Sequence, residues 1–317
     1  MKQPPARRWT GDAVMLVTAL LMGSSYPVAK DVLAVMSPLL YSSSRYAIAG
    51  LFLLGVIALR RQPLALPRRD WLPLVLLSLL GVTLFQAFWG YGISRTSPSV
   101  GSIVMTTTTT FSALFAWIQG RRLSALGWTG IAIAFAGVLL VVNNSLSRIT
   151  LAVGNIEGAG FWLIAAFCWA LYVDRSVPFN LRLGALRVVA WTTFLGALML
   201  LAVALCFDSL SEFGRLDDRL LGYWLYTGTF PVGVAYLGIA FGLDRLGVSR
   251  VMVYMYLIPV AGVGLAAAFF GDPLTWARVL GGLIVLLGVI LTRVALDRTA
   301  RLRARGLRSD GTARGSI

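Results

Sequence analysis

Apolar residues in this chain gather in long runs separated by short polar links. They show neither the stripe of a half-exposed helix nor the alternation of a half-buried strand. Each run has about the length that a helix needs to cross a hydrocarbon layer about 30 Å thick, roughly 20 residues. Ten can be drawn, over 12–30, 38–59, 71–93, 99–119, 125–143, 158–174, 184–207, 220–242, 249–270 and 275–295. Only helices and closed barrels satisfy their backbones in lipid, and barrel strands would alternate in polarity, so the pattern predicts an all-α integral membrane protein. Most links are short, which makes successive helices antiparallel neighbours.

Composition removes the alternatives. Hydrophobic residues make up 58% of the 317 and charged residues 13%, about half the charged share of an ordinary soluble domain. There are 28 Lys and Arg against 13 Asp and Glu. These cations lie in links between apolar runs rather than on one basic face, so nucleic acid is not the expected partner. Cys168 and Cys206 fall inside apolar runs and read as packing residues. The absence of His removes the commonest zinc ligand and proton relay, and no metal or cofactor is expected. Lys2, Arg7 and Arg8 precede the first run as in a signal peptide. No cleavage site leads into a hydrophilic mature domain, so that run is read as a retained span.

Loop cations set the orientation, because Lys and Arg resist translocation. With the N-terminus inside, 21 of the 28 fall on the cytoplasmic face. The remainder are Lys30, Arg45, Arg95, Arg148, Arg215, Arg219 and Arg278. Both termini inside requires an even number of spans, which favours ten. Residues 1–11 are then a cytoplasmic N-terminus. Residues 297–317 are a basic cytoplasmic tail, expected to be disordered and close to the headgroups.

Sliding the chain on itself by 151 residues aligns 98–140 with 249–291 without a gap. Three glycine pairs coincide, Gly120 with Gly271, Gly130 with Gly281 and Gly137 with Gly288. The segment Gln119 to Ser124 matches Phe270 to Thr275 at the same helix boundary, and a weaker echo joins Leu20–Tyr26 to Ala166–Tyr172. The expected units are 12–145 and 156–296, five spans each. An odd number of spans makes the second copy enter the membrane from the opposite side, which predicts two inverted five-helix repeats able to exchange conformations around a shared cavity.

Several segments then resemble the drug/metabolite transporter superfamily, in particular its EamA-like ten-helix carriers. They are MGSSYPVAK (Met22 to Lys30), SSRYAIAGLFLL (Ser43 to Leu54), and GRRLS and GDPLT at Gly120 and Gly271, each followed by a glycine-bearing span. The sequence departs from the family pattern in places. Met22 stands where the family often has Trp, Pro259 has Thr108 as its repeat partner, and Asp272 is matched by Arg121. The resemblance implies a secondary carrier, often an exporter of amino acids or related metabolites. It also implies a cavity lined by spans 1, 3, 4, 6, 8 and 9, with spans 5 and 10 peripheral.

On those inner spans Tyr26, Gln86, Trp89, Trp169, Tyr172, Tyr236 and Tyr256 offer aromatic faces with polar handles, suited to an amphipathic small molecule. Ser24 is a further candidate contact. Trp71, Trp128, Trp224 and Trp276 read instead as headgroup-belt residues. Thr106 to Thr110 cover every face of a helix, and each hydroxyl can bond the carbonyl one turn back. Thr107 and Thr108 are expected to supply hydroxyls to the cavity, and the run is expected to supply the flex that Pro259 supplies in the matching helix. Gly23 and Pro27, with Ser24 and Ser25 between them, form a candidate hinge in the first span. Gly238 and Gly242, and Gly130 with Gly137, are expected at close helix contacts. Arg45, read as near the outer face, could draw a substrate carboxylate, pair with Asp31, snorkel, or brace the fold.

No nucleotide-binding or hydrolase motif occurs, and the adjacent acids Asp217 and Asp218 are read as loop residues, so no enzyme is expected. No Asp, Glu or His sits at the centre of a span. Uniport, exchange and coupling through a boundary acid such as Asp31 stay open. The reading is a carrier in the cytoplasmic membrane that exports a small metabolite, an amino acid or an amphipathic relative, by alternating access. The alternative is a non-transporting scaffold, which would show no saturable counterflow, or a lipid-handling protein, which would want a lateral polar opening although no span shows a polar lipid-side stripe.

Overall fold

The computed structural model describes residues 5–120, 123–144, 153–246 and 248–313. Lys2, Arg121, Arg122, Arg148 and Arg314 lie outside them. Among the described residues ten helices are long and apolar enough to cross a membrane. They are α1 (Trp9–Val32), α2 (Pro38–Leu59), α3 (Arg68–Arg95), α4 (Pro98–Ile118), α5 (Ala125–Asn143), α6 (Ile156–Leu183), α7 (Ala185–Phe207), α8 (Asp218–Leu243), α9 (Val253–Phe270) and α10 (Trp276–Leu296). Among the described residues there is no strand.

Local chemistry marks the helix ends. The side chains of Ser37 and Ser97 accept from the amides of Leu40 and Val100, each with proline at the first helical position. The Asp217 carboxylate accepts from Leu220 N at 2.7 Å. Asp217 is therefore the N-cap of α8 and Asp218 its first residue, which corrects the loop reading: an acid at this position satisfies orphan amides and complements the helix dipole. Gly120 and Gly271, matched in the 151-residue repeat, both close their helices in the left-handed region, at φ +80° and +65°.

Two kinds of interruption recur at nearly the same spacing. A π turn covers Leu79–Leu84 in α3 and another covers Thr229–Val234 in α8. In the second, Pro231 has no N–H to give, which favours the widened ladder. A 3-10 turn covers Met105–Thr107 in α4. Its counterpart in α9 is a break at Tyr256, between helical stretches ending at Met255 and restarting at Leu257. Pro259 lacks the N–H that would bond the Met255 carbonyl, so the break falls where the ladder is already interrupted.

The packing has a regular plan. α1 lies against α8 and α9, and α6 against α3 and α4, while α2 packs on α7, α5 on α10 and α4 on α9. Exchanging the first five helices for the last five maps this set of partners onto itself. The largest buried cluster includes Tyr26, Trp89, Ile93, Val100, Ile103 and Trp162, from α1, α3, α4 and α6. Trp162 is fully buried. Its ring occupies space that a Cβ on Gly92 or Gly101 would take, at 2.9 and 2.2 Å.

The expected spans and the observed helices differ mainly in their ends. α6 continues nine residues past the apolar run, through Arg175 and Pro178 to Leu183. A helix does not have to end where hydrocarbon ends, and this overhang carries Arg182 to Asp70 at the start of α3. The last helix likewise runs past its apolar stretch, through Ala313. Its Ala, Leu and Arg content favours helix.

Candidate functional site

Seven residues along α2 from Pro38, about 10 Å into the helix, the Arg45 side chain is 1% exposed. Its Nη2 donates to Gln86 Oε1 at 2.7 Å and its Nη1 to Ser25 Oγ at 3.3 Å. The guanidinium carbon lies 4.3 Å from the ring centre of Trp89, 4.9 Å from that of Tyr41 and 5.1 Å from that of Tyr46. Its Nε is buried without a hydrogen-bond partner. Among the described residues no carboxylate pairs with Arg45, and Asp31 instead meets Arg219 at 3.1 Å. The guanidinium neither snorkels nor reaches Asp31, because α2 carries it inward onto α1 and α3.

Gln86 holds this arrangement in register. Its Nε2 donates to Tyr46 Oη at 2.6 Å, and its backbone carbonyl accepts from Ser42 Oγ at 3.2 Å. Tyr41 Oη donates to Thr227 Oγ1 at 3.0 Å, tying the cage to α8. Tyr26 stands 5.7 Å from Trp89 and 5.8 Å from Trp162, ring centre to ring centre. The Trp162 indole donates to Thr96 Oγ1 at 2.8 Å. The result is a desolvated cation under aromatic faces, satisfied in part by two neutral groups.

The structure brings Tyr26, Gln86 and Trp89 together around Arg45, with Tyr236 packed beside Tyr46. Trp169 and Tyr172 form a second group. Trp169 lies 4.9 Å from Phe85 and 5.2 Å from Tyr172, and Tyr172 Oη shares a hydrogen bond with Thr192 at 3.0 Å. Ser24 bonds its own Leu21 carbonyl and Tyr226 Oη, at 2.8 and 2.7 Å. Thr107 and Thr108 donate to the carbonyls of Val104 and Met105, at 2.7 and 2.8 Å. Tyr256 packs against the main cluster with its hydroxyl buried and without a partner.

Three residues of the cage were absent from the sequence-derived candidates: Ser25, Tyr41 and Tyr46. Tyr41 and Tyr46 flank Arg45 at i−4 and i+1, a spacing that could have flagged a caged cation. α1 runs unbroken through Gly23 and Pro27. Gly23 is where α1 meets α9, since a Cβ there would stand 2.6 Å from Ala261 Cβ. Gly238 and Gly242 likewise face Thr18 and Met15 of α1.

The rim opposite the N-terminus is held by polar bonds between helices. Lys30 Nζ donates to the carbonyls of Ile93, Ser94 and Thr96 at 2.7, 3.0 and 3.0 Å. Asp272 accepts from the Ser99 amide at 3.1 Å and pairs with Arg278 at 2.5 Å. Glu212 accepts from the Ser37 amide at 2.7 Å. On the N-terminal rim, Gln119 donates to Asp174 at 2.8 Å and Tyr254 to Asp12 at 2.9 Å. Trp71, Trp128 and Trp276 are exposed. Trp224 is half-buried and directs its indole to Ser44 Oγ at 2.8 Å, so its polar edge is taken by a neighbouring helix. Among the described residues no group of three His, Cys, Asp or Glu could hold a metal ion.

Comparison with known proteins places this geometry. A family model described as the EamA-like transporter family matches the chain twice, over residues 9–143 and 156–294. An uncharacterized transporter of Archaeoglobus fulgidus is 25% identical over 282 residues, covering 88% of this chain and 96% of the relative. The uncharacterized inner membrane transporter YedA of Escherichia coli K12 is 27% identical over 280 residues, covering 86% and 87%. A solved crystal structure superposes with a TM-score of 0.65 at 19% identity, covering 89% of this chain and 96% of its own, which establishes likeness of fold.

Proposed function

The chain belongs to the EamA-like transporter family, and from that premise we propose that it exports a small metabolite, an amino acid or an amphipathic relative, by alternating access. The membrane is the cytoplasmic one, as in the name of the Escherichia coli relative, with both termini on the cytoplasmic side where the loop cations concentrate. Residues 12–145 and 156–296 act as two five-helix units of opposite orientation.

The observation that carries this reading is the exchange pattern of helix partners. α1 against α8 and α9 repeats as α6 against α3 and α4. Two units built alike and packed reciprocally have two equivalent arrangements. Passage between them closes a central cavity at one rim and opens it at the other. The binding groups in this reading are Ser24, Tyr26, Gln86, Trp89, Trp169, Tyr172, Tyr236, Tyr256 and the hydroxyls of Thr107 and Thr108. Pro27 and Pro259 serve as hinges, with Gly23 at the α1–α9 crossing.

The test combines topology and flux. In a variant lacking Cys168 and Cys206, cysteines at the exposed positions Gln119 and Leu274 should label from opposite sides of the membrane with an impermeant maleimide. Purified protein in liposomes should show saturable counterflow of at least one labelled amino acid. Labelling from the same side would end the inverted arrangement, and flux that never saturates would end the carrier reading.

A further inference from the structure

The least expected feature of the interior is the charge on Arg45. A guanidinium stays protonated in any protein environment, and a charge within the hydrocarbon is costly unless it is paired. Arg45 has no counter-anion among the described residues, although Asp31, Asp70, Asp272, Glu157 and Glu212 each bond a cation or a backbone amide elsewhere. Two neutral oxygens and three aromatic faces stand where an acid would be expected. Rings stabilise a cation, yet they leave its Nε proton unused.

We propose that the missing partner is the cargo itself, and that Arg45 receives a carboxylate on the transported molecule. This rests on the carrier reading and narrows it to carboxylates. The planar fork of Arg45 suits the two oxygens of a carboxylate, and a desolvated site makes that charge-assisted pair strong. Gln86 is the resident stand-in. Its amide oxygen occupies one guanidinium nitrogen and is held there by Tyr46. Trp89, Tyr26 and Tyr41 offer rings for an apolar body attached to the acid. The cage covers Arg45 completely here, so a ring must swing aside to admit a ligand. The same cage keeps water and small inorganic anions from neutralising the charge.

The test uses the full chain purified in detergent and matched probe pairs: phenylacetate with phenylacetamide, hexanoate with hexanamide, and L-phenylalanine with L-phenylalaninamide. Each is titrated while thermal unfolding is followed, since a ligand that binds the folded state raises its melting temperature. At least one acid should stabilise the wild type and its amide should do so roughly tenfold less well, the worth of one charge-assisted contact. Arg45→Lys should weaken acid binding by a similar factor, because it keeps the charge and loses the fork. The R45M/Q86L double variant should bind no acid and should melt no lower than the wild type without ligand, since the uncompensated charge and its stand-in leave together.

Equal stabilisation by acids and amides, no stabilisation by any acid, or a marked loss of stability in R45M/Q86L would overturn the proposal; the last would make Arg45 a brace. Saturable counterflow of amides or amines alone would refute the carboxylate site and leave the carrier intact. An acid that binds through Arg45 without counterflow would instead refute the carrier.

Discussion

Gly130 of α5 and Gly288 of α10 face each other so closely that a Cβ on Gly130 would stand 2.8 Å from the Gly288 carbonyl oxygen. The reverse Cβ would stand 2.6 Å from that of Gly130. Their repeat counterparts, Gly281 and Gly137, meet in the same way at 3.0 and 2.8 Å. Each glycine therefore touches the counterpart of its own helix-mate, the relation that a two-fold axis through the α5–α10 crossing would impose. Small residues here let the backbones approach, and in lipid such contact replaces the hydrophobic drive that holds soluble helices together.

A side chain at Gly288 should part this crossing. Its Cβ would meet the Ala134 nitrogen at 2.4 Å, which is backbone and cannot rotate away. Gly288→Leu should lower stability by about 1–3 kcal/mol or more, read as an earlier unfolding transition in detergent. Gly264, where a Cβ meets nothing, serves as the control: Gly264→Ala should leave the transition in place.

Lys30 should act as a cap that crosses from one helix to another. Its three carbonyl partners lie at the C-terminal end of α3, where unpaired oxygens and the helix dipole both favour a cation. Lys30→Met should cost about 1–3 kcal/mol and should speed hydrogen exchange at Thr96 and its neighbours. Unchanged exchange there would show that water replaces the ammonium without loss.

Asp272 should hold the start of α4 to the end of α9. Its carboxylate serves the Ser99 amide and Arg278 together, and both side chains of the ion pair are almost wholly buried. Asp272→Asn keeps the size and removes the charge, leaving Arg278 without its acid. Loss of one partner of a buried pair costs more than the pair is worth, so unfolding should shift earlier by the equivalent of about 2–4 kcal/mol. Arg278→Met in the same background should restore part of that loss.

The ten spans were legible because lipid forces each backbone group to be paired within its own helix, which leaves a long apolar run as the readable trace. The glycine register was legible for a related reason, since Gly120 and Gly271 fill the same left-handed helix end. What the sequence hid lies in the third dimension. The sequence puts Arg45 near the outer face, because a position in a span says nothing of which neighbours turn it inward. Tyr41 and Ser25 join its cage only once α1, α2 and α3 are packed. The π turns of α3 and α8 left no clear trace either, since Gly81 and Pro231 are compatible with several backbone solutions. The end of α6 is hidden because the apolar run stops at Asp174 and Arg175, whereas the helix runs on to Leu183.

The threonine run of α4 separates two roles that one hydroxyl could play. Thr106, Thr107 and Thr108 each donate to the carbonyl three residues earlier, across the 3-10 turn. Bonds of this kind tighten and bend a helix, and the matching position of α9 is the break at Tyr256. Thr110 differs, being wholly buried with an unpartnered hydroxyl. Replacing it by the isosteric valine removes an unsatisfied polar group, so Thr110→Val should raise stability by about 1 kcal/mol with transport unchanged. Replacing Thr107, Thr108 and Thr109 together by valine should leave folded yield intact, because the Thr107 and Thr108 hydroxyls bond carbonyls of their own helix and none of a neighbouring one. Flux should then fall about tenfold, the worth of one hydrogen bond lost from the rate-limiting state, if α4 must flex there in the proposed cycle. Thermal unfolding and counterflow measured on the same preparations distinguish the two effects. Equal losses of stability and flux in the triple variant would reduce the run to ordinary packing.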